Sequence, residues 1–128
     1  MFGHQQDLVA GLLFAVAVLA PQAVIASEAD VINVKVTAEP SGTFNFDVTV
    51  THADAGWEHY ADKWEVTGPD GNVFATRILA HPHDDEQPFT RSQGGISIPE
   101  RLATVTIRAH DLVHGYGGKE MQVKLPDR

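Results

Sequence analysis

Cysteine is absent from this 128-residue chain. That excludes a disulfide framework, an iron–sulfur cluster, a thiol nucleophile, a Cys-type zinc site and a blue-copper centre, all of which need sulfur from cysteine. Methionine is almost as scarce, with two in the chain, and Met121 is the only one beyond the first residue. No methionine-rich copper motif can be built. Positive charge is also short, with 9 Lys and Arg against 17 Asp and Glu, for a formal net charge of −8. Such a balance disfavours nucleic acid and anionic membrane surfaces as partners.

One long apolar run is present, Leu8 to Ala20. It is too short for a comfortable membrane span, and Pro21 and the small-residue pattern Val24-Ile25-Ala26 follow it. The segment reads as a secretory signal peptide, residues 1–26, cleaved after Ala26 with Ala29 as the second choice. Met1 to Asp7 lacks the usual Lys or Arg, so a retained N-terminal anchor is the alternative. The expected mature protein is one domain, residues 27–128, periplasmic or secreted.

Beyond the leader the apolar residues alternate. Ile32, Val34, Val36 and Ala38 form one such series, and Phe44, Phe46, Val48 and Val50 a second, across a Glu39-Pro40-Ser41-Gly42 turn. Period-2 alternation marks strands with one buried face. Asp62–Thr67, with Trp64 and Val66 inward, is the third strand, and Asn72–Ala80 the fourth, near an edge. Phe89–Ile98 is the fifth, bent at Gly94-Gly95. The series Ala103, Val105, Ile107, Ala109 is the sixth, and Met121, Val123, Leu125 the seventh. Seven short strands in one small domain predict an all-β, antiparallel, seven-stranded β-sandwich, immunoglobulin-like or fibronectin-III-like.

Threading those strands up and down sends every histidine beyond the leader to one end. His52 ends the second strand on its inward parity, and His59 lies in the following loop. His81 and His83 follow the fourth strand, while His110 and His114 follow the sixth. Asp54, Glu58, Asp84, Asp85, Glu86 and Asp111 fall in the same loops. Imidazoles mixed with carboxylates suit Cu²⁺ or Zn²⁺ better than Ca²⁺ or Mg²⁺, which favour all-oxygen shells. The leading candidate ligands are His52, His81, His83 and His110, with His59 and His114 next. Asp84, Asp85, Glu86, Asp111 and Glu58 are candidate carboxylate ligands or hydrogen-bonding supports. Trp57, Tyr60 and Tyr116 are candidate pocket walls, with Trp57 and Tyr60 alternatively plugs for the open end of the sandwich. His110-Asp111-Leu112-Val113-His114 has the outline of the zincin motif, but that motif needs a helix, and the alternating Thr104–Ile107 before it and Gly115 after it leave no room for one.

The run His81-Pro82-His83-Asp84-Asp85-Glu86-Gln87-Pro88-Phe89-Thr90-Arg91-Ser92, with Gly56–Asp62 upstream, resembles segments of uncharacterised secreted bacterial proteins of no named functional family. The resemblance implies secretion and carries no established activity with it. The expected function is that of a metal-binding carrier, buffer or accessory protein with Cu or Zn as its ion. Its partners would be the metal ion and a periplasmic protein. Once the leader is cleaved, no membrane is expected. The alternatives are an interaction or adhesion module using the same loops without a metal, and a metal-dependent enzyme. No catalytic residues are assigned, because Ser41, Ser92 and Ser97 sit in no recognisable nucleophile signature.

Overall fold

The computed structural model describes residues 28–128; the expected leader, residues 1–26, lies outside them. Among the described residues seven strands form: β1 (Asp30–Ala38), β2 (Phe44–Thr51), β3 (Ala61–Thr67), β4 (Val73–Ile78), β5 (Phe89–Ile96), β6 (Thr104–Asp111) and β7 (Met121–Lys124). They make two antiparallel sheets, one ordered β1-β2-β5 and the other β4-β3-β6-β7. Among the described residues no helix is long and apolar enough to cross a membrane.

The alternation in β2 is the reason for the core. Phe44, Phe46, Val48 and Val50 are each 0% exposed, and they face Trp64, Val66, Val105 and Ile107 from the other sheet in a single apolar cluster. Each such side chain contributes roughly 1.5–3 kcal/mol by leaving water. β4 is an edge strand, as its mixed polarity predicts. The register between β2 and β5 slips between Phe44 and Phe46, where Gly94 and Gly95 sit opposite, and Gly95 has φ +67°. The expected bend is therefore a bulge. One detail of β1 differs from its alternation: the register shifts between Val31 and Asn33, so Val31 enters the core and Ile32, expected inward, is exposed.

The pairings fix which loops meet. Thr51 lies opposite Asp30, Phe89 opposite Val50, Ile78 opposite Lys63 and Asp111 opposite Ala61. The loops after β2, β4 and β6 consequently share one end of the molecule, and all six histidines of the described residues are there.

Candidate metal centre

The inward parity of β2 runs one residue past the strand and buries His52. Its ring is then tied down. Asp54 Oδ1 accepts a hydrogen bond from His52 Nδ1 at 2.6 Å and another from the Ala61 amide at 3.1 Å. Asp54 Oδ2 accepts from the His83 amide at 2.7 Å. A carboxylate only accepts, so His52 Nδ1 carries the proton it donates to Asp54, and Nε2 is the nitrogen left to face Asp111. Gln87 closes the back of the site: its Oε1 accepts from the His52 amide at 2.9 Å, and its Nε2 donates to the His83 carbonyl at 3.1 Å.

Asp111 arrives from β6. Val105, Ile107 and Ala109 point inward, so two residues on Asp111 does as well, at 0% exposure. The chain then reverses in a tight loop in which the Asp111 and Gly115 backbones bond each other in both directions at 3.1 and 3.0 Å. Gly115 has φ +71°, a conformation that side chains with a Cβ resist. Inside this loop Asp111 Oδ1 accepts from the amides of Val113 (2.8 Å) and His114 (2.6 Å). Burial pushes the Asp111 carboxyl up, but those two amides and the imidazoles of His52 and His114 outweigh it and hold the group below the usual carboxylate range. It is therefore an anion in the interior.

Two kinds of histidine–carboxylate pair are present. His52–Asp54 and His110–Asp62 stand at 2.6 Å and are hydrogen bonds. Around Asp111 the spacing is longer: His52 Nε2 is 3.4 Å from Oδ2, His114 Nδ1 is 3.4 Å from Oδ2, and His59 Nε2 is 3.6 Å from Oδ1. Those distances exceed the usual N–H···O length of about 2.9–3.0 Å. They match the gap between neighbouring donors on a tetrahedral ion, about 3.4 Å for bonds of 2.0–2.2 Å. Donor atoms of His52, His59 and Asp111 all lie within 4.8 Å of one another. His52 Nε2, His59 Nε2 and Asp111 Oδ2 are buried with no hydrogen-bond partner among the described residues, each a cost of about 1–3 kcal/mol if left so. The donor set, two imidazoles and one carboxylate with a third imidazole beside them, fits a divalent transition metal.

The remaining sequence candidates lie elsewhere at this end. His83 is buried, stacked on Phe89 with ring centroids 3.9 Å apart, and tilted against His81 at 4.6 Å. Burial, then the charges of Arg91 and His81, lower its pKa. Its Nδ1 is 3.8 Å from Asp54 Oδ2, so it backs the carboxylate that orients His52 instead of joining the Asp111 cluster. His81 is exposed and hydrogen-bonds the Pro82 carbonyl. Asp84 accepts from the Gly56 amide at 3.2 Å, and Glu86 pairs with Arg91 at 3.0 Å. These groups, with Asp85 and Trp57, line an open cleft of about 580 Å³. Glu58 is exposed. Trp57 is 65% exposed and meets Tyr60 edge-on at 5.7 Å, so it walls the cleft and does not plug the sandwich.

His110 and Tyr116 lie apart from the Asp111 cluster. Ala109 points in, so His110 points out, to Asp62 on the outer face of the four-stranded sheet. Tyr116 lies beside it, 4.7 Å away, under the Arg108 guanidinium at 4.0 Å. Burial and a hydrogen bond with Glu65 push its hydroxyl up to about 12. Neither residue lines the pocket at this end. The His110–His114 motif is thus split across two faces, which a helix would have prevented. Asp54 was legible only as one loop carboxylate among several. The parity of Asp111, by contrast, was written in Val105, Ile107 and Ala109.

Fold and site together define an all-β, two-sheet protein with a buried histidine–aspartate cluster at one end. No family model matches the chain, and no solved structure matches it significantly. The chain is 41% identical over 96 residues to a protein of Halomicrobium mukohataei named "Putative lipoprotein", over 75% of this chain and 47% of that protein. The chain thus spans about half the length of the curated relative it matches.

Proposed function

We propose that this protein binds a transition metal, Cu²⁺ or Zn²⁺, outside the cytoplasm, and serves as a carrier, buffer or accessory protein. His52, His59 and Asp111 are the core ligands, and His114 is the fourth donor from the solvent side. The observation that carries this reading is the pair of distances around the two buried carboxylates. Asp54 stands at hydrogen-bonding length from His52, while Asp111 stands at donor–donor length from three imidazoles. A carboxylate fixing one ring nitrogen so that the other faces a metal is a recurrent support for histidine ligands. Location outside the cytoplasm rests on the apolar segment Leu8–Ala20 and on the lipoprotein name of the relative. The strand order, with buried Trp64 on β3, supports an immunoglobulin-like identity for the sandwich.

Calorimetric titration of the metal-stripped protein with Zn²⁺ and Cu²⁺ tests the reading. One ion per chain is expected, bound more tightly than about 1 μM, or about −8 kcal/mol. Binding weaker than that, or unaffected by Asp111→Asn, contradicts it. A second reading is favoured by one observation, the largely exposed Trp57 at the acidic cleft: the loops then contact a partner protein, and metal has no effect on that contact.

A further inference from the structure

We propose that the cleft between the loops after β2 and β4 docks an arginine side chain on a basic segment of a partner protein. The inference deepens the second reading above, contact with a partner, and needs no metal at the Asp111 cluster. The cleft is about 580 Å³, with Gly56 and Trp57 on one side and the segment from His81 to Glu86 on the other. Trp57 is 65% exposed, yet the turn that carries it is tied down. The Ala55 amide donates to the His59 carbonyl at 2.7 Å, and the His59 amide to the Gly56 carbonyl at 3.3 Å. The Gly56 amide donates to both Asp84 carboxylate oxygens at 3.2 Å, which fastens this turn to the opposite wall. An indole held in water by ordered backbone loses little freedom on binding, and Trp is among the residues that most often anchor interfaces.

The opposite wall selects the sign of the occupant. Asp84, Asp85 and Glu86 are consecutive and exposed. Arg91 pairs with Glu86 at 3.0 Å and leaves Asp84 and Asp85 without a cation among the described residues. His83 lines the cleft between these walls, 4% exposed, and its ring nitrogens have no hydrogen-bond partner among the described residues. Burial lowers its pKa, so the ring is neutral near neutral pH and sets no positive charge against a cation. A guanidinium satisfies both walls at once. Its planar face stacks on an indole, and its N–H groups bind carboxylates in pairs, whereas a lysine ammonium meets them only as a point charge.

The test titrates acetylated, amidated tetra-arginine into the isotope-labelled full-length protein at low salt, with chelator present, and follows backbone and indole N–H signals by NMR. Tetra-lysine, tetra-glutamine and tetra-glutamate are the comparison probes. Saturable shifts centred on Gly56, Trp57 and Asp84 to Glu86 are expected, stronger binding with arginine than with lysine, and none with the other two. Trp57→Ala weakens arginine binding about tenfold or more, and Asp85→Asn about two- to fivefold. Both positions are exposed, so neither variant threatens the core. Val73→Ala, exposed at the start of β4 and away from the cleft, leaves binding unchanged. Lysine binding equal to arginine binding, or arginine shifts that survive Trp57→Ala, overturn the proposal. Glutamine or glutamate peptide in the cleft in place of arginine overturns it while leaving the partner reading standing. No shift at the cleft with any of the four overturns it and leaves the partner reading without a site.

Discussion

Asp54 carries three hydrogen bonds on one carboxylate: the His52 ring, the Ala61 amide at the start of β3 and the His83 amide in the loop after β4. It thereby joins two loops of the site and orients the buried His52 ring. Asp54→Asn removes the charge that favours His52 Nδ1–H and is expected to lower metal affinity about 10–100-fold without changing stoichiometry; calorimetry on wild type and variant reads this directly. His83 makes a separate prediction. Its pKa is depressed in the folded protein, chiefly by burial and then by Arg91 and His81. The neutral form is the one the fold accommodates, so its stabilising contribution is present above the unfolded value near 6.5 and is lost as pH falls below it. With chelator present, the urea midpoint should drop between pH 7.5 and pH 5.0, and His83→Phe, which preserves the stack on Phe89, should reduce that drop. An unchanged pH response in His83→Phe contradicts the assignment. At this scale the sequence was partly legible. Burial of His52 followed from Phe44, Phe46, Val48 and Val50 counted on by two, and the same count on β6 separates Asp111 from His110. The six-residue segment from His81 to Glu86 draws the eye because its charges are consecutive. Yet consecutive residues in a loop share no direction, and the cluster at Asp111 is assembled from residues far apart in the chain.

At the scale of elements, the loop between β6 and β7 is the most constrained part of the site. The reciprocal Asp111–Gly115 bonds and the two amides on Asp111 Oδ1 fix His114 beside Oδ2. Gly115 is in the left-handed region with nothing nearer than His110 Nε2 at 4.0 Å from where a Cβ would be, so substitution there meets backbone strain and no clash. Gly115→Ala is expected to cost about 1–2 kcal/mol and to weaken metal binding, read by chemical denaturation and titration of the same sample. Equal affinity in the variant would mean that the loop does not set the position of His114. Alternation located the strands well because each of them buries one face against the other sheet. It failed at Ile32, where the bulge against β2 turns the residue outward. A bulge is a property of the pair of strands, and a single strand's pattern carries no sign of it.

At the scale of the whole molecule, the core and the site are placed by the same topology. β2 and β6 belong to different sheets, yet both run toward the end where His52 and Asp111 meet, so packing the two sheets together brings these two side chains together. A metal bound there, as proposed, would crosslink the sheets only in the folded state and so would stabilise it. At a free ion concentration 100-fold above Kd the gain is about 2.7 kcal/mol, a rise in melting temperature on the order of 10 °C for a domain of this size. The most direct test of the centre is a titration of Zn²⁺ or Cu²⁺ into four metal-stripped proteins: wild type, His52→Ala, Asp111→Asn and the double variant His81→Ala/His110→Ala. One tightly bound ion in wild type and in the double variant, lost in the two single variants, is the predicted result. Retention in His52→Ala and Asp111→Asn, with loss in His81→Ala/His110→Ala, would contradict it.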